Sequence, residues 1–169
     1  MSRPGYRRKH DLSLARQLIA LRGCPCVLRT VRLHLHELYV EFDLRPLPES
    51  RTYLLALTLP RGGVPTVRVL APDLAVLAGE RELPHVYDHR HPVQLCLYLP
   101  GAGEWSHEAY LAKTIVPWAM EWLAHFEAWL FTSQWSGGGL HPGEPSVPRS
   151  RFHRNRRRTV ASTNSPARA

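Results

Sequence analysis

The residues of this chain best suited to covalent chemistry gather around Cys96. It lies in the apolar run Leu95-Cys96-Leu97-Tyr98-Leu99, between a His- and Pro-rich stretch at 71–92 and the turn Pro100-Gly101-Ala102-Gly103. A cysteine attacks carbonyl carbon as its thiolate, and thiolates form where positive charge or polar donors lie close. His85, His89, Arg90 and His91 are the candidates to supply them. The competing reading is a buried thiol acting as a small hydrophobe. Two sets of residues carry metal-ligand chemistry: Cys24-x-Cys26 with His34-x-His36, and His85, His89 and His91 with Asp88. Their spacing argues against zinc, because paired cysteines in structural sites are usually separated by two or more residues, and a strand turns His34 and His36 toward solvent. We therefore expect neither metal nor cofactor. Arg61-Gly62-Gly63 and Gly137-Gly138-Gly139 lack the lysine and the helix that phosphate binding needs, and no nucleophile elbow supports a serine triad.

The elements that must position Cys96 can be read from periodicity. Asp11 or Ser13 is placed to cap a helix carrying Leu14, Leu18, Ile19 and Leu21, ended by Gly23 and Pro25. From Val27 the period becomes two: Val27, Val31, Leu33 and Leu35, then Leu38, Val40, Phe42 and Leu44, alternate with polar residues as half-buried strands do. Tyr53–Leu59 and Thr66–Leu70 complete a four-stranded antiparallel meander, and 71–92 reads as a long irregular flap across the end of the sheet. Beyond the cysteine, Ser106 is placed to cap a helix through Ala112. Pro117 suits the first position of another, with Trp118, Trp122, Phe126 and Trp129 on its packed face and Glu121 and Glu127 opposite. The predicted class is α+β.

The chain has 169 residues and a formal charge of +8, a length that fits one domain with a sizeable core. Its charge is unevenly placed. Residues 1–10 carry four positives and no acid, 143–169 carry seven arginines against Glu144, and 11–142 is close to neutral. We therefore divide the chain into a basic extension (1–10), a domain (11–142) and a basic tail (143–169), which is too poor in apolar surface to offset its ordering entropy. A solvated tail is the simplest account of the arginines, so nucleic acid is not the expected partner. Three cysteines, no signal-like segment and no apolar run long enough to span a bilayer point to a soluble, cytoplasmic protein without a disulfide scaffold.

A helix, a four-strand meander, a His-bearing flap, then Leu95-Cys96-Leu97 followed nine residues after the cysteine by Trp105-Ser106, resembles the ubiquitin-conjugating enzyme fold. The likeness is closest to the ubiquitin-conjugating-like proteins of bacterial CBASS anti-phage operons. It is carried by Pro84-His85-Val86-Tyr87, Leu95-Cys96-Leu97-Tyr98, Glu104-Trp105, Ile115-Val116-Pro117-Trp118, Glu121-Trp122-Leu123, Glu127-Ala128-Trp129-Leu130 and the run Trp135-Ser136-Gly137-Gly138-Gly139-Leu140-His141-Pro142.

That resemblance implies that Cys96 forms a thioester with the C-terminus of a cognate cGAS-like nucleotidyltransferase and passes it to an amine, priming second-messenger synthesis. A separate activating enzyme, or exchange of an existing peptide bond, would supply the activated carboxyl. The partner is then the nucleotidyltransferase tail, not a membrane. His85 stands where the family has the His of a His-Pro-Asn motif, but Val86-Tyr87 replaces Pro-Asn, so the Tyr87 hydroxyl is the candidate substitute for the missing amide. An alignment through His91-Pro92 places His91 beside the thiol instead, and both alignments stay open at this point. His141 matches the closing Gly-Gly-Gly-x-His-Pro. The alternative is a catalytically silent interaction module of the same fold that binds the nucleotidyltransferase.

Overall fold

Strand β2 (Glu37–Leu44) turns sequence pattern directly into structure: Leu38, Val40, Phe42 and Leu44 are all buried, and the residues between them face outward. A sheet with one packed face requires that alternation. In the computed structural model, which describes residues 11–138, β2 lies between β1 (Val27–Leu33) and β3 (Tyr53–Pro60). Strand β3 pairs in turn with β4 (Thr66–Ala71), every pair antiparallel. The extension 1–10, the tail 143–169 and His141 lie outside the described residues.

The sheet continues past the expected meander. The supposedly irregular flap holds a short helix, α2 (Leu74–Ala78), whose cap Asp73 accepts a hydrogen bond from the Ala75 N–H at 2.9 Å, and a strand, β5 (Val86–Asp88). Strand β6 (Val93–Leu95) follows, pairs with β4 on one side and β5 on the other, and completes a six-stranded order β1-β2-β3-β4-β6-β5. Strands of three residues are too short for their alternation to register in sequence. Strand β1 departs from expectation in the opposite way. It is an edge strand whose register slips between Leu28 and Thr30, and Val27, Val31, Leu33 and the following Leu35 are exposed rather than half-buried.

Helix α1 (Leu14–Arg22) is capped by Ser13, whose hydroxyl accepts from the Arg16 N–H at 3.2 Å. It buries Leu18 and Leu21 as expected, but Ile19 faces solvent and Gln17 is buried in its place. The Gln17 amide donates to the Ala109 carbonyl at 2.8 Å and accepts from the Leu111 N–H at 2.9 Å. Those bonds explain why 106–112 is not the expected helix. A side chain satisfies its backbone groups, and only a 3₁₀ turn (Leu111–Lys113) forms.

Helix α3 (Ile115–Thr132) starts two residues before Pro117, which sits in the first turn, where its missing N–H costs no hydrogen bond. Trp122, Phe126 and Trp129 are buried against the sheet as expected, and Trp118 is half-buried. Glu127, expected on the solvent face, is buried: it accepts a hydrogen bond from the Tyr53 hydroxyl at 2.6 Å and pairs with Arg51. A carboxylate in a core is tolerated when it is paired and hydrogen-bonded, and this one joins α3 to β3. Near the same C-terminal end of the helix, Arg81 lies over the Trp129 ring and donates to the Trp129 and Leu130 carbonyls.

Candidate active site

Cys96 is the first residue after β6. Its N–H donates to the His85 carbonyl at 3.1 Å, extending the β5–β6 hairpin one step beyond the Val86–Leu95 pair. The same carbonyl accepts from the Trp122 indole N–H at 2.9 Å. His85 has φ +50, in the left-handed region that side chains with a β-carbon rarely adopt. Two donors on its carbonyl and a stack of its ring on Trp135, centroids 5.1 Å apart, hold it there. Across the hairpin mouth, His85 lies opposite Cys96. His91 lies 3.6 Å from Asp73 on a different part of the surface.

The positive charge expected from the flap does not reach the thiol. Arg90 is paired with Asp88, and that pairing, with a smaller contribution from Arg68, holds the Asp88 carboxyl down at about 2. His89 is exposed. Burial pushes the Cys96 thiol above its ordinary range, a hydrogen bond with Tyr87 opposes this, and the charge of Glu104 adds to it. The Tyr87 hydroxyl also donates to the Tyr98 carbonyl at 2.6 Å. One O–H cannot serve both partners at once. In the structure the proton lies on the Tyr98 carbonyl, and to stabilise a Cys96 thiolate it would turn to sulfur.

The thiol opens onto a cleft of about 530 Å³ between the hairpin and α3. Tyr98, Trp118, Trp122 and Trp135 supply aromatic walls, and Glu104, Glu121 and His125 supply polar groups. Glu104 is anchored by the Leu99 N–H at 2.8 Å. His125 bonds the Ser136 hydroxyl at 3.0 Å through Nδ1 and lies 3.8 Å from Glu121 through Nε2. Gly137 passes so close to Trp135 that a β-carbon there would lie 2.7 Å from the indole nitrogen, which explains a glycine at that position. Sequence reasoning left Glu104, His125 and Trp135 out of the site, and it assigned Trp122 chiefly to packing. The signal available was helical spacing: Glu121, Trp122 and His125 share one side of α3, at separations of three and four residues.

Neither proposed metal set assembles. His34 and His36 are exposed in the β1–β2 turn. The Cys24 thiol donates to the Ala112 carbonyl at 3.7 Å, and Cys26 is pushed up to about 11 by burial and by its neighbour Cys24. Among the described residues, no three of His, Cys, Asp and Glu converge as a metal site would require, and no helix is long and apolar enough to cross a membrane.

The model of one protein family, described as type II CBASS E2 protein, matches residues 17–142. That span takes in the whole sheet, the hairpin with His85, Tyr87 and Cys96, and α3. A search of the curated proteins finds no match.

Proposed function

We propose, from the premise that the chain belongs to the type II CBASS E2 protein family, that Cys96 is an acyl-carrying cysteine. Membership itself implies a role in CBASS antiviral defence. In this reading the Cys96 sulfur takes the C-terminal carboxyl of a cognate cGAS-like nucleotidyltransferase as a thioester and delivers it to an amine, priming cyclic-nucleotide synthesis. The activated carboxyl comes from a separate activating enzyme or from exchange of an existing peptide bond.

The observation that carries the reading is the placement of the Cys96 thiol at the wall of an open cleft, on a hairpin whose other strand brings Tyr87 to the sulfur. A thiol with a raised pKa suits an acyl carrier. Once ionised it is a strong nucleophile, and because it leaves less readily than an acidic thiol, its thioester resists water until an amine is positioned. The Tyr87 proton, free to turn from the Tyr98 carbonyl toward sulfur, is also a donor for the oxyanion of the tetrahedral intermediate. It takes the part that an Asn amide has in the parent motif. His85 is then a positioning residue: its carbonyl fixes the Cys96 backbone, and its ring lines the same cleft. For His141, outside the described residues, the family's closing motif alone suggests a part, and in this reading His91, paired with Asp73, takes none.

The test is a covalent adduct. Incubated with the nucleotidyltransferase of its own operon and whatever activating enzyme that operon encodes, the protein should give a shifted band that thiol reductant removes. Cys96→Lys or Cys96→Ser should trap an amide or ester that reductant leaves intact. No adduct in either variant, with phage protection unaffected by Cys96→Ala, would support the silent interaction module instead.

A further inference from the structure

Cys24 and Cys26 have no part in the reading of Cys96. They flank the exposed Pro25 in the bend that joins α1 to β1, and both are free and half-buried. The Cys24 N–H donates to the Leu21 carbonyl at 3.0 Å, which ties it to the end of the helix, and Cys26 leads directly into Val27 of β1. Residues two apart on a bent backbone have Cα atoms about 5–7 Å from each other, within the span that a disulfide bridges. The two side chains are in hydrogen-bonding reach of one another. Cys24 also lines a groove of about 590 Å³ between α1 and the 3₁₀ turn, away from the Cys96 cleft. Arg16 and Lys113 stand on its walls, the Lys113 ammonium over the Tyr110 ring at 5.8 Å, and none of the described residues lining it is a carboxylate. The Cys96 cleft has the reverse charge, with Glu104 and Glu121 and neither lysine nor arginine among its described residues. An anion that carries a reactive sulfur is therefore drawn to Cys24 and repelled from Cys96.

We propose that Cys24-Pro25-Cys26 is a redox-closable dithiol: the basic groove receives an anionic low-molecular-weight disulfide, such as glutathione disulfide, Cys24 exchanges with it, and Cys26 closes the intramolecular bridge. The site is independent of the acyl-carrier role of Cys96. In the first exchange the Cys24 thiolate bonds to one sulfur of the reagent, whose S–S bond breaks with its electron pair on the departing thiolate; that thiolate takes up the proton Cys24 lost. Cys26 then attacks the Cys24 sulfur of the mixed disulfide and expels a second thiol, which takes the Cys26 proton. The protein gives up two electrons and two protons, and the reagent gains both as a pair of thiols. Burial and the neighbouring Cys24 push Cys26 up to about 11, which suits the second attacker, since it stays protonated and out of the first exchange. A ring closed over one intervening residue is strained and readily reduced, so the bridge is reversible. Closure also removes the hydrogen that the Cys24 thiol gives the Ala112 carbonyl at 3.7 Å. Ala112 lies in the 3₁₀ turn that leads into α3, so oxidation loosens the junction between α1 and the helix that walls the Cys96 cleft.

The experiment uses the full chain, reduced and freed of reductant, and compares glutathione disulfide, a dianion at neutral pH, with the uncharged bis(2-hydroxyethyl) disulfide. Samples are quenched in acid, alkylated and digested with trypsin, which releases residues 23–29 as one peptide holding both cysteines. Glutathione disulfide should return that peptide unalkylated and lighter by a pair of hydrogens, before Cys96 is modified. Cys26→Ser should stop at a glutathione adduct on Cys24, and Cys24→Ser should leave Cys26 unmodified. The preference for this peptide over Cys96 should fall about threefold or more with the uncharged reagent, a comparison that needs no variant. Arg16→Gln with Lys113→Gln, both exposed side chains, should slow the glutathione reaction by a similar factor and leave the uncharged reagent unaffected. Stable glutathione adducts on both cysteines without closure, modification of Cys96 first, or the same preference with both reagents would overturn the proposal. Hydrogen exchange reads the consequence: amides of 111–114 should exchange faster in the bridged protein and recover on reduction, and exchange that closure leaves unchanged would remove the coupling to α3.

Discussion

Replacing Tyr53 by Phe tests how α3, which carries one wall of the cleft, is fixed to the sheet. The Tyr53 side chain is fully buried, and its hydroxyl donates to Glu127 at 2.6 Å. Glu127 is 8% exposed, and its other contacts are to Arg51, through an ion pair and a long backbone bond of 3.4 Å. A hydrogen bond to a charged group contributes about 1.5–3 kcal/mol, and a buried carboxylate that loses its donor keeps the desolvation cost. Tyr53→Phe removes one oxygen and leaves almost no void, so its cost should be about 2 kcal/mol, or a fall in Tm of roughly 5–10 °C for a domain of this size. Arg51 is 44% exposed at its side chain, so solvent screens its pair, and Arg51→Met should cost about 1 kcal/mol or less. Urea unfolding followed by tryptophan fluorescence gives both values, and the slope should match that of wild type. A double-mutant cycle with Glu127→Gln isolates the pair. Tyr53→Phe within 0.5 kcal/mol of wild type, or a smaller loss than that of Arg51→Met, would refute the idea that the buried bond, rather than the ion pair, joins α3 to β3.

Two further outcomes follow from the electrostatics of the hairpin. Alkylation of Cys96 by iodoacetamide, read by peptide mass spectrometry, should still be rising with pH above the ordinary thiol range, because burial and Glu104 both disfavour the thiolate; Tyr87→Phe should slow it about threefold or more at pH 8 by removing the bond that opposes them, and an unchanged rate would count against the sulfur contact. Asp88 is held at about 2 by Arg90 and Arg68, below its ordinary 3.8, so its contribution to stability is present above about pH 4 and lost as pH falls toward 2. The stability gap between wild type and Asp88→Asn should therefore close over that window, and a gap that persists at pH 2 would contradict the assignment.

Cys96 stood out as the candidate because its neighbours in sequence set it apart: an apolar run, a Gly turn and a following Trp-Ser. The meander was legible because strands of six to eight residues repeat their alternation often enough to be counted. What periodicity could not reach were elements whose partners lie far away. The strands β5 and β6 have three residues each and exist because β4 offers an edge to pair with. The segment 106–112 gave up its helix to the Gln17 side chain, more than ninety positions earlier. Exposure of β1 follows from its place at the edge of the sheet, which alternation alone does not reveal.

By itself, then, the sequence determined the class of fold and the amphipathic α3, and it singled out Cys96 as the candidate, since each depends on residue type and local spacing. The tertiary structure decided what surrounds the sulfur. It paired the His85 backbone with that of Cys96 across the hairpin, drew Glu127 into the core to meet Tyr53, and set Glu104, Glu121 and three tryptophans around one cavity. The physical reason is common to all three. A pKa, a buried charge or the lining of a cleft is a property of groups brought together across the chain, and folding brings them together through hydrogen bonds and packing between residues that local spacing does not relate.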